Sequence, residues 1–145
     1  MRVSIIGAGE CSPETAALAE RLGKLLAAAG HTLVCGGLGG VMEAAAKGAS
    51  QAGGTTIGIL PGQEIAQANR YISYAVATGL GHMRNYLVIL NGDAAVAVSG
   101  GYGTLSEIAL ARKIGRKVIV LGGWSEIPGL VPVQTPEEVL EALEP

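Results

Sequence analysis

Three glycine-rich segments contain the residues whose types and spacing are best suited to chemistry. Each follows an apolar run typical of a buried strand and precedes a run with helical spacing. The first contains Gly7, Ala8 and Gly9, the second Gly36, Gly37, Gly39 and Gly40, and the third Ser99, Gly100, Gly101, Tyr102, Gly103 and Thr104. Backbone N–H groups at such junctions are unpaired, and the helix dipole favours an anion there. Since glycine allows the backbone to approach a phosphate closely, the three loops together predict binding of a phosphorylated small molecule.

A single loop of this kind is weak evidence, because tight strand-to-helix turns also need glycine for steric reasons. The loops lack the features of two common nucleotide motifs. No Gly-Lys-Ser/Thr sequence follows any of them, which argues against a P-loop. The segment Gly7-Ala8-Gly9 lacks the third glycine of the dinucleotide fingerprint, and no acidic residue ends the second strand to hold a ribose. NAD and FAD are therefore disfavoured.

The elements that must position these loops alternate along the chain. Apolar runs predict strands over residues 2–6, 31–35, 55–60, 72–77, 94–98 and 117–121. Helical spacing predicts helices over 13–29, 40–52, 80–91 and 105–114, with a short final helix that begins at Thr135. This alternation predicts an α/β fold: a single Rossmann-like three-layer domain over residues 1–145, with a mostly parallel sheet covered by helices on both faces. Ligands of such sheets bind beyond the carboxyl ends of the strands.

Composition excludes several classes of function. The 145 residues are 49% hydrophobic and 15% charged, with a net charge of −2 and no cluster of Lys or Arg. We therefore expect no nucleic-acid partner. No apolar run is long enough to span a membrane and no signal peptide is visible, so we expect no membrane association and a cytoplasmic location. The two cysteines, Cys11 and Cys35, form neither a disulfide framework nor a metal motif, and no metal site is predicted.

The third loop and the helix after it resemble a known family. The run from Gly100 to Glu107, GGYGTLSE, resembles the GGxGTxxE signature of the LOG-like proteins, once widely labelled lysine decarboxylases. The segments 36–42 and 57–61 resemble that family's second-strand loop and third strand, and Arg84 stands where the family places an arginine. The resemblance covers roughly residues 2–121. It implies the same Rossmann-like fold, with the phosphate of the ligand on the third loop.

The resemblance also implies roles for individual residues. LOG enzymes cleave the N-glycosidic bond of nucleoside 5′-monophosphates. By this resemblance, Glu107 would stabilise a ribosyl cation or orient water, as carboxylates do in glycoside hydrolysis. Arg84 would hold the phosphate or a ribose hydroxyl, and Thr104 would donate a hydrogen bond to the phosphate.

Three positions depart from the LOG enzymes: Ser99 replaces a proline, Asn85 a lysine and Ser106 an acid. These departures are more similar to a sister group that includes the molybdenum cofactor carrier proteins, which bind a phosphorylated pterin without transforming it. Two hypotheses follow and stay open. The first is a carrier or binding protein for molybdenum cofactor or a nucleotide, which the departures favour. The second is a nucleoside 5′-monophosphate phosphoribohydrolase. Lysine decarboxylase is disfavoured, because no lysine stands in a context suited to a Schiff base.

The three residues with implied chemical roles also have ordinary explanations. Thr104 and Glu107 have the spacing of a capping box, in which Glu107 reaches back to the Thr104 N–H at the start of a helix. Arg84 would then be a solvated helix residue. Asn69 and Arg70 follow the third strand, where they could contact a ligand base.

The stretch from Tyr86 to Leu90 is apolar at nearly every position. A helix that is apolar all round is buried on more than one side. One side must meet the sheet, so we expect the other to meet a second subunit. The sequence thus predicts a homo-oligomer, most simply a two-fold dimer, with a tetramer as the alternative.

Overall fold

The computed structural model describes all residues, 1–145, and contains one seven-stranded sheet with five α-helices. The strands are β1 (Arg2–Gly7), β2 (Thr32–Cys35), β3 (Thr56–Leu60), β4 (Tyr74–Ala77), β5 (Ala94–Val98), β6 (Lys117–Leu121) and β7 (Val131–Val133). The helices are α1 (Pro13–Ala28), α2 (Val41–Gln51), α3 (Arg84–Leu90), α4 (Tyr102–Lys113) and α5 (Pro136–Leu143). Two short 3₁₀ helices span Ile65–Gln67 and Gly81–Met83.

All strands of the sheet are parallel, in the order β4-β3-β2-β1-β5-β6-β7. Val3 of β1 pairs with Leu33 of β2 on one side and with Ala94 of β5 on the other. The direction of the strand order therefore reverses between β1 and β5. The loops after these two strands diverge to opposite faces and leave a crevice between them, which is where ligands bind in open α/β sheets.

Helices cover both faces of the sheet, each over its own apolar cluster. The side chains of neighbouring residues in a strand point to opposite faces, as Ile5 and Ile6 of β1 do. Ile5 belongs to the cluster under α1, α2 and α5, which includes Leu22, and Ile6 belongs to the cluster under α3 and α4, which includes Ile108. The predicted Rossmann-like three-layer α/β fold is confirmed.

Helices α1 and α2 pack unusually closely, because two glycines lie at their contact. A Cβ atom on Gly23 would lie 2.0 Å from the carbonyl oxygen of Ala45, and one on Gly48 would lie 1.9 Å from that of Glu20. Only glycine permits this separation without moving a helix. The two helices follow β1 and β2, so their close packing also brings the first two glycine loops together.

The helix starts at Ser12 and Thr135 agree with the predictions. The Ser12 hydroxyl accepts a hydrogen bond from the Thr15 N–H at 3.1 Å, and the Thr135 hydroxyl accepts one from the Glu138 N–H at 3.2 Å. Two other parts of the chain differ from what the sequence predicts. The segment 80–91 is a 3₁₀ turn followed by the seven-residue α3. The edge strand β7 was not predicted, because it has only three residues and Pro132 at its centre.

One side of α3 is buried and the other is exposed, next to the edge strand β4. Val88 and Ile89 are buried against the sheet. Five large apolar side chains nearby are exposed, and we call them the apolar face: Tyr74, Val76, Met83, Tyr86 and Leu90. A groove of about 360 Å³ runs beneath part of this face, lined by Ile57, Ile59 and Leu87 among others. None of the helices combines the length and the apolar character needed to cross a membrane.

Candidate functional site

The three glycine loops meet at the carboxyl edge of the sheet and line a continuous depression, the site cleft. Its widest part has a volume of about 620 Å³ and lies beside the starts of α1 and α2. A second part of about 250 Å³ lies between the first and third loops. A third part of about 140 Å³ lies between the sheet and the side chains of Arg84 and Glu107. Gly9, Glu10 and Cys11 each line more than one of these parts, so the first loop joins them.

The third loop presents a run of unpaired backbone donors. Helix α4 begins at Tyr102, three residues before the predicted start at residue 105. The amide N–H groups of the five consecutive residues 100–104 donate no hydrogen bond within the protein. The first two precede the helix, and the other three form its first turn. Such a run at a helix N-terminus is a favourable site for a phosphate.

The early start of α4 rules out the predicted capping box. The residue that caps α4 is Gly101, and no side chain accepts a hydrogen bond at this helix end. Thr104 is the third helical residue and is buried, at 3% exposed, and Glu107 lies a turn further into the helix. The chain enters the helix earlier because Ser99 and Gly100 both have positive φ, at 52° and 104°, and turn it sharply after β5. Glu107 therefore does not cap the helix, and the five amides stay free.

Some of the predicted glycines are required by close contacts inside the protein. A Cβ atom on Gly40 would lie 2.3 Å from the Ala8 carbonyl oxygen, and one on Gly7 would lie 2.7 Å from the Val41 side chain. A Cβ atom on Gly36 would lie 2.6 Å from the guanidinium of Arg84. A Cβ atom would also contact neighbouring atoms closely at three more of the predicted glycines, Gly37, Gly39 and Gly100. At Gly100 the φ of +104° further disfavours any other residue. The glycine at each of these positions is explained by packing or by backbone conformation.

Three glycines have no such internal explanation: Gly9, Gly101 and Gly103. A Cβ atom at any of them would meet no other atom within 4 Å, and none of the three has a positive φ. Gly9 lines the site cleft, while Gly101 and Gly103 lie among the five free amides. The space in front of them is therefore open for a ligand to approach the backbone. Tyr102, between the latter two, is 90% exposed and does not pack on the loop.

Arg84 is buried, at 9% exposed, and is not the solvated helix residue of the alternative explanation. Its Nε donates to the Ile59 carbonyl at 2.9 Å and its Nη2 to the Gly36 carbonyl at 3.4 Å. A third donor, Nη1, bonds the side-chain oxygen of Asn85. The guanidinium thus ties the end of β3 to the second loop, and its charge lies at the floor of the site cleft.

Glu107 faces the same 140 Å³ cavity as Arg84. Its carboxyl forms no ion pair and no hydrogen bond. The carboxyl oxygens are open to the cavity, so they are not buried polar atoms without a partner. Burial raises the pKa of Glu107 to about 7, and the charge of Arg84 opposes this rise. Burial likewise lowers the pKa of Arg84, which remains a cation at neutral pH. The cavity therefore holds one fixed cation and one carboxyl whose pKa is raised toward neutrality.

Asn69 has a structural role that the sequence did not indicate. Its Nδ2 donates to the Leu38 carbonyl at 2.8 Å and its Oδ1 accepts from the Tyr71 N–H at 3.0 Å. These bonds hold the second loop and leave the amide unavailable to a ligand base. Arg70 does line the widest part of the site cleft, with its guanidinium 5.0 Å from the centre of the Tyr71 ring.

The two cysteines are free thiols, and Cys11 lines the site cleft. Cys35 is buried, which raises its pKa to about 11 and keeps it a thiol. Cys11 is partly buried beside the first loop and forms no disulfide. No group of three or more His, Cys, Asp or Glu side chains is arranged so that it could hold a metal ion.

Comparison with known proteins gives relatives that cover nearly the whole chain. An uncharacterized protein of Archaeoglobus fulgidus is 46% identical over 140 residues, which are 97% of this chain and 92% of that protein. The molybdenum cofactor binding protein from the phototrophic bacterium Rippkaea orientalis superposes with a TM-score of 0.93 at 36% identity, over 97% of this chain and 93% of that one. The molybdenum cofactor carrier protein from Chlamydomonas reinhardtii gives a TM-score of 0.90 at 32% identity, over 97% and 94%.

The likeness to these solved structures extends through the sheet and the loops at its carboxyl edge, since almost all of each chain is covered. It agrees with the resemblance to LOG-like proteins drawn from the third loop, Arg84 and Glu107. The family model described as the SLOG cluster4 family matches residues 1–143, and the chain therefore belongs to this LOG-like, Rossmann-type family.

Proposed function

We propose that this protein is a binding or carrier protein for a phosphorylated small molecule, which it holds by its phosphate on residues 100–104. The observation that carries the proposal is the run of five free amides, in which Gly101 and Gly103 face open space and Gly100 lines the part of the cleft between the first and third loops. A phosphate offers oxygen acceptors for these donors, and the dipole of α4 favours its negative charge. Among the three loops, the third is the one in which free donors coincide with two glycines that face open space.

The names of the relatives support molybdenum cofactor, a phosphorylated pterin, as the first candidate ligand, with a nucleotide as the second. A phosphate on the third loop would leave the rest of the ligand to extend past Gly9 toward the 620 Å³ part of the cleft. Tyr71 and Arg70 line this part, with the guanidinium bonded to the Tyr71 hydroxyl, and a heterocycle could stack on the tyrosine ring.

Arg84 and Glu107 would then contact the middle of the ligand. Arg84 contributes a fixed positive charge at the floor of the cleft, because its hydrogen bonds to Ile59 and Gly36 hold the guanidinium in place. Glu107 can accept a hydrogen bond when ionised or donate one when protonated, and its pKa of about 7 makes both forms available. Its lack of a partner within the protein leaves this capacity for a ligand hydroxyl or ring nitrogen.

A second candidate function, phosphoribohydrolase activity on nucleoside 5′-monophosphates, is favoured by one observation. A carboxyl with a pKa near the working pH, free of other bonds and facing a cation, is suited to proton transfer or to orienting a water. In this reaction water would replace the base at the ribose carbon. The base would leave with a proton, and ribose 5-phosphate would remain.

One experiment separates the two functions. The pure protein is incubated with a panel of nucleoside 5′-monophosphates, binding is measured by calorimetry, and free base is measured by chromatography. Glu107→Ala is compared with Glu141→Gln, a change at an exposed position on α5. Binding of phosphorylated compounds without base release supports the carrier function. Base release that only Glu107→Ala abolishes supports the hydrolase. Failure to bind any phosphorylated compound, with molybdenum cofactor included in the panel, would refute both.

We also propose that the protein is a homo-oligomer, with a second copy on the apolar face. The support is the exposure of five large apolar side chains on β4, on α3 and on the residue before it, where β4 and α3 line one groove. Contiguous exposed apolar surface of this kind is typical of protein interfaces. A face that includes a free sheet edge is self-complementary in a two-fold dimer.

A further inference from the structure

Trp124 lies in the segment between β6 and β7 and is bonded to the third loop. Its indole N–H donates a hydrogen bond to the carbonyl oxygen of Ser99 at 3.1 Å. The N–H of Ser99 in turn donates to the carbonyl oxygen of Leu121, the last residue of β6, at 3.2 Å. Both backbone polar groups of Ser99 are therefore held by the end of β6 and the segment that follows it.

Ser99 and Trp124 share an uncommon backbone conformation. They are the two non-glycine residues in the chain with positive φ, at 52° and 59°. A side chain disfavours this region, so a residue stays in it when its surroundings fix it there. For Trp124 the surroundings are Gly122 and Gly123, which also have positive φ, and the apolar cluster under α3 and α4, against which its ring packs. For Ser99 they are the two hydrogen bonds to Trp124 and Leu121.

The conformation of Ser99 decides where the free amides point. Ser99 is the first residue after β5 and the last before the run 100–104, so its φ and ψ set the direction in which the chain leaves the sheet. If Ser99 relaxed to an extended or right-handed conformation, Gly100 would move away from Thr104 and the direction of the five N–H groups would change. Glycine at this position would adopt the same φ without help from a neighbour.

We propose that Trp124 is a positioning residue for the anion-binding loop: its indole holds Ser99 in the strained conformation that aims amides 100–104 at the ligand's phosphate. The expected effect of Trp124 on ligand binding rests on the proposed function. Its expected effect on the loop does not, because that effect can be measured in the ligand-free protein. Trp124 does not itself touch the phosphate. Since it is the single tryptophan of the chain, its fluorescence reports directly on this contact.

The test uses the variants Trp124→Phe, Ser99→Gly and the double variant. Phenylalanine keeps an aromatic ring for packing but lacks the N–H donor. In the ligand-free proteins, amide hydrogen exchange is followed by NMR at Ser99 N–H, the donor to Leu121. We expect exchange to accelerate about tenfold in Trp124→Phe, because the loop opens more often. Equal exchange rates in wild type and Trp124→Phe would overturn the proposal, whatever the ligand is found to be.

A second experiment measures the binding of inorganic phosphate and of adenosine 5′-monophosphate to the same variants. We expect Trp124→Phe to weaken binding about tenfold when Ser99 is present and much less when it is combined with Ser99→Gly, since glycine needs no indole to keep the turn. Tryptophan fluorescence of the wild type should change on saturation with either probe. Equal losses in the presence and absence of Ser99→Gly would show that Trp124 acts only through overall stability and would overturn the proposal. Absence of probe binding to the wild type would count against the proposed function, while the exchange measurement would still decide the role of Trp124.

Discussion

Arg84 and Glu107 face the same small cavity from two different helices and do not form an ion pair with each other. Arg84 begins α3 and directs its guanidinium to the carbonyl groups of β3 and the second loop, while Glu107 lies on α4, one turn after the third glycine loop. The protein thus places a half-buried carboxyl near a buried cation, and the two form no ion pair. A polar group of a ligand placed between them could bond to both.

The raised pKa of Glu107 predicts how stability depends on pH. The folded protein binds this proton with a pKa of about 7, against an ordinary value of 4.5, so between these pH values the folded state holds more protons than the unfolded state. The free energy of unfolding should therefore fall as pH rises from about 4.5 to about 7 and level off above. The loss attributable to Glu107 should approach roughly 3 kcal/mol.

The measurement is urea unfolding of the wild type, Glu107→Gln and Glu141→Gln between about pH 4.5 and pH 8. Glutamine cannot ionise, so Glu107→Gln should lack this decline and should be the more stable protein at the upper end of the range. The control at the exposed position on α5 should behave as the wild type. A wild-type protein whose stability rises steadily over this range, or a Glu107→Gln curve parallel to it, would contradict the assignment.

A single substitution in the third loop, Gly103→Ala, should have opposite effects on stability and on phosphate binding. Gly103→Ala places a methyl group in open space within the first turn of α4, so it should leave stability unchanged or raise it by up to about 1 kcal/mol. The methyl group would stand in front of the free amides, so phosphate binding should weaken by about tenfold or more.

Gly100→Ala is the matched control for this prediction. Its Cβ would lie 2.1 Å from Thr104 Oγ1 at a φ of +104°, so it should destabilise the fold by about 1–3 kcal/mol. Thermal unfolding and phosphate titration of both variants provide the comparison. If Gly103→Ala bound phosphate as tightly as the wild type, the open glycine would not mark the ligand site.

Arg84 should be sensitive to replacement by lysine. A lysine has one ammonium group in place of the planar guanidinium, so it cannot reach the Ile59 and Gly36 carbonyls together. We expect Arg84→Lys to destabilise the protein by about 1–3 kcal/mol through the buried acceptors left unpaired. Calorimetry should show a change of less than about 0.5 kcal/mol for the control Arg112→Lys, an exposed position on α4. Equal stability of the two variants would show that the guanidinium does not tie β3 to the second loop.

The apolar face predicts the assembly state. In light scattering the wild type should have at least twice the mass of one chain, and Leu90→Glu should dissociate it, because a buried carboxylate at the interface lacks a partner. The control Lys24→Glu changes charge on α1, which covers the opposite side of the sheet, and should leave the mass unchanged. A wild type that runs as a single chain at all concentrations would contradict the oligomer.

Much of the fold could be predicted from the sequence, because apolar runs and helix caps are local features. Ser12 before Pro13 and Thr135 before Pro136 place the starts of α1 and α5 correctly. The strand β7 could not be predicted, since three residues with a central proline pair with β6 only through tertiary context. The start of α4 was misplaced for a related reason. The capping-box spacing of Thr104 and Glu107 is a local pattern, whereas the observed start follows two residues of positive φ, and Ser99, the first of them, is bonded to a residue 25 positions away.

For the site too, local motifs could be predicted from the sequence, and contacts between distant residues could not. The glycine loops, Arg84 and Glu107 carry motifs that can be recognised along the chain. Which glycines serve packing and which face open space depends on contacts between loops, such as Gly40 against Ala8. The roles of Asn69 and Trp124 depend on bonds to distant backbone carbonyls, and no pattern near either residue indicates them.

The central claim is that amides 100–104 hold the phosphate of a ligand. It is tested most directly by a ¹H–¹⁵N NMR titration of the labelled protein with adenosine 5′-monophosphate, repeated with adenosine. We predict that the monophosphate causes its largest chemical-shift changes at the backbone amides of residues 100–104. Adenosine should leave the chemical shifts of these amides unchanged. Binding with the largest shifts at the apolar face or elsewhere, or equal shifts with adenosine, would contradict the account.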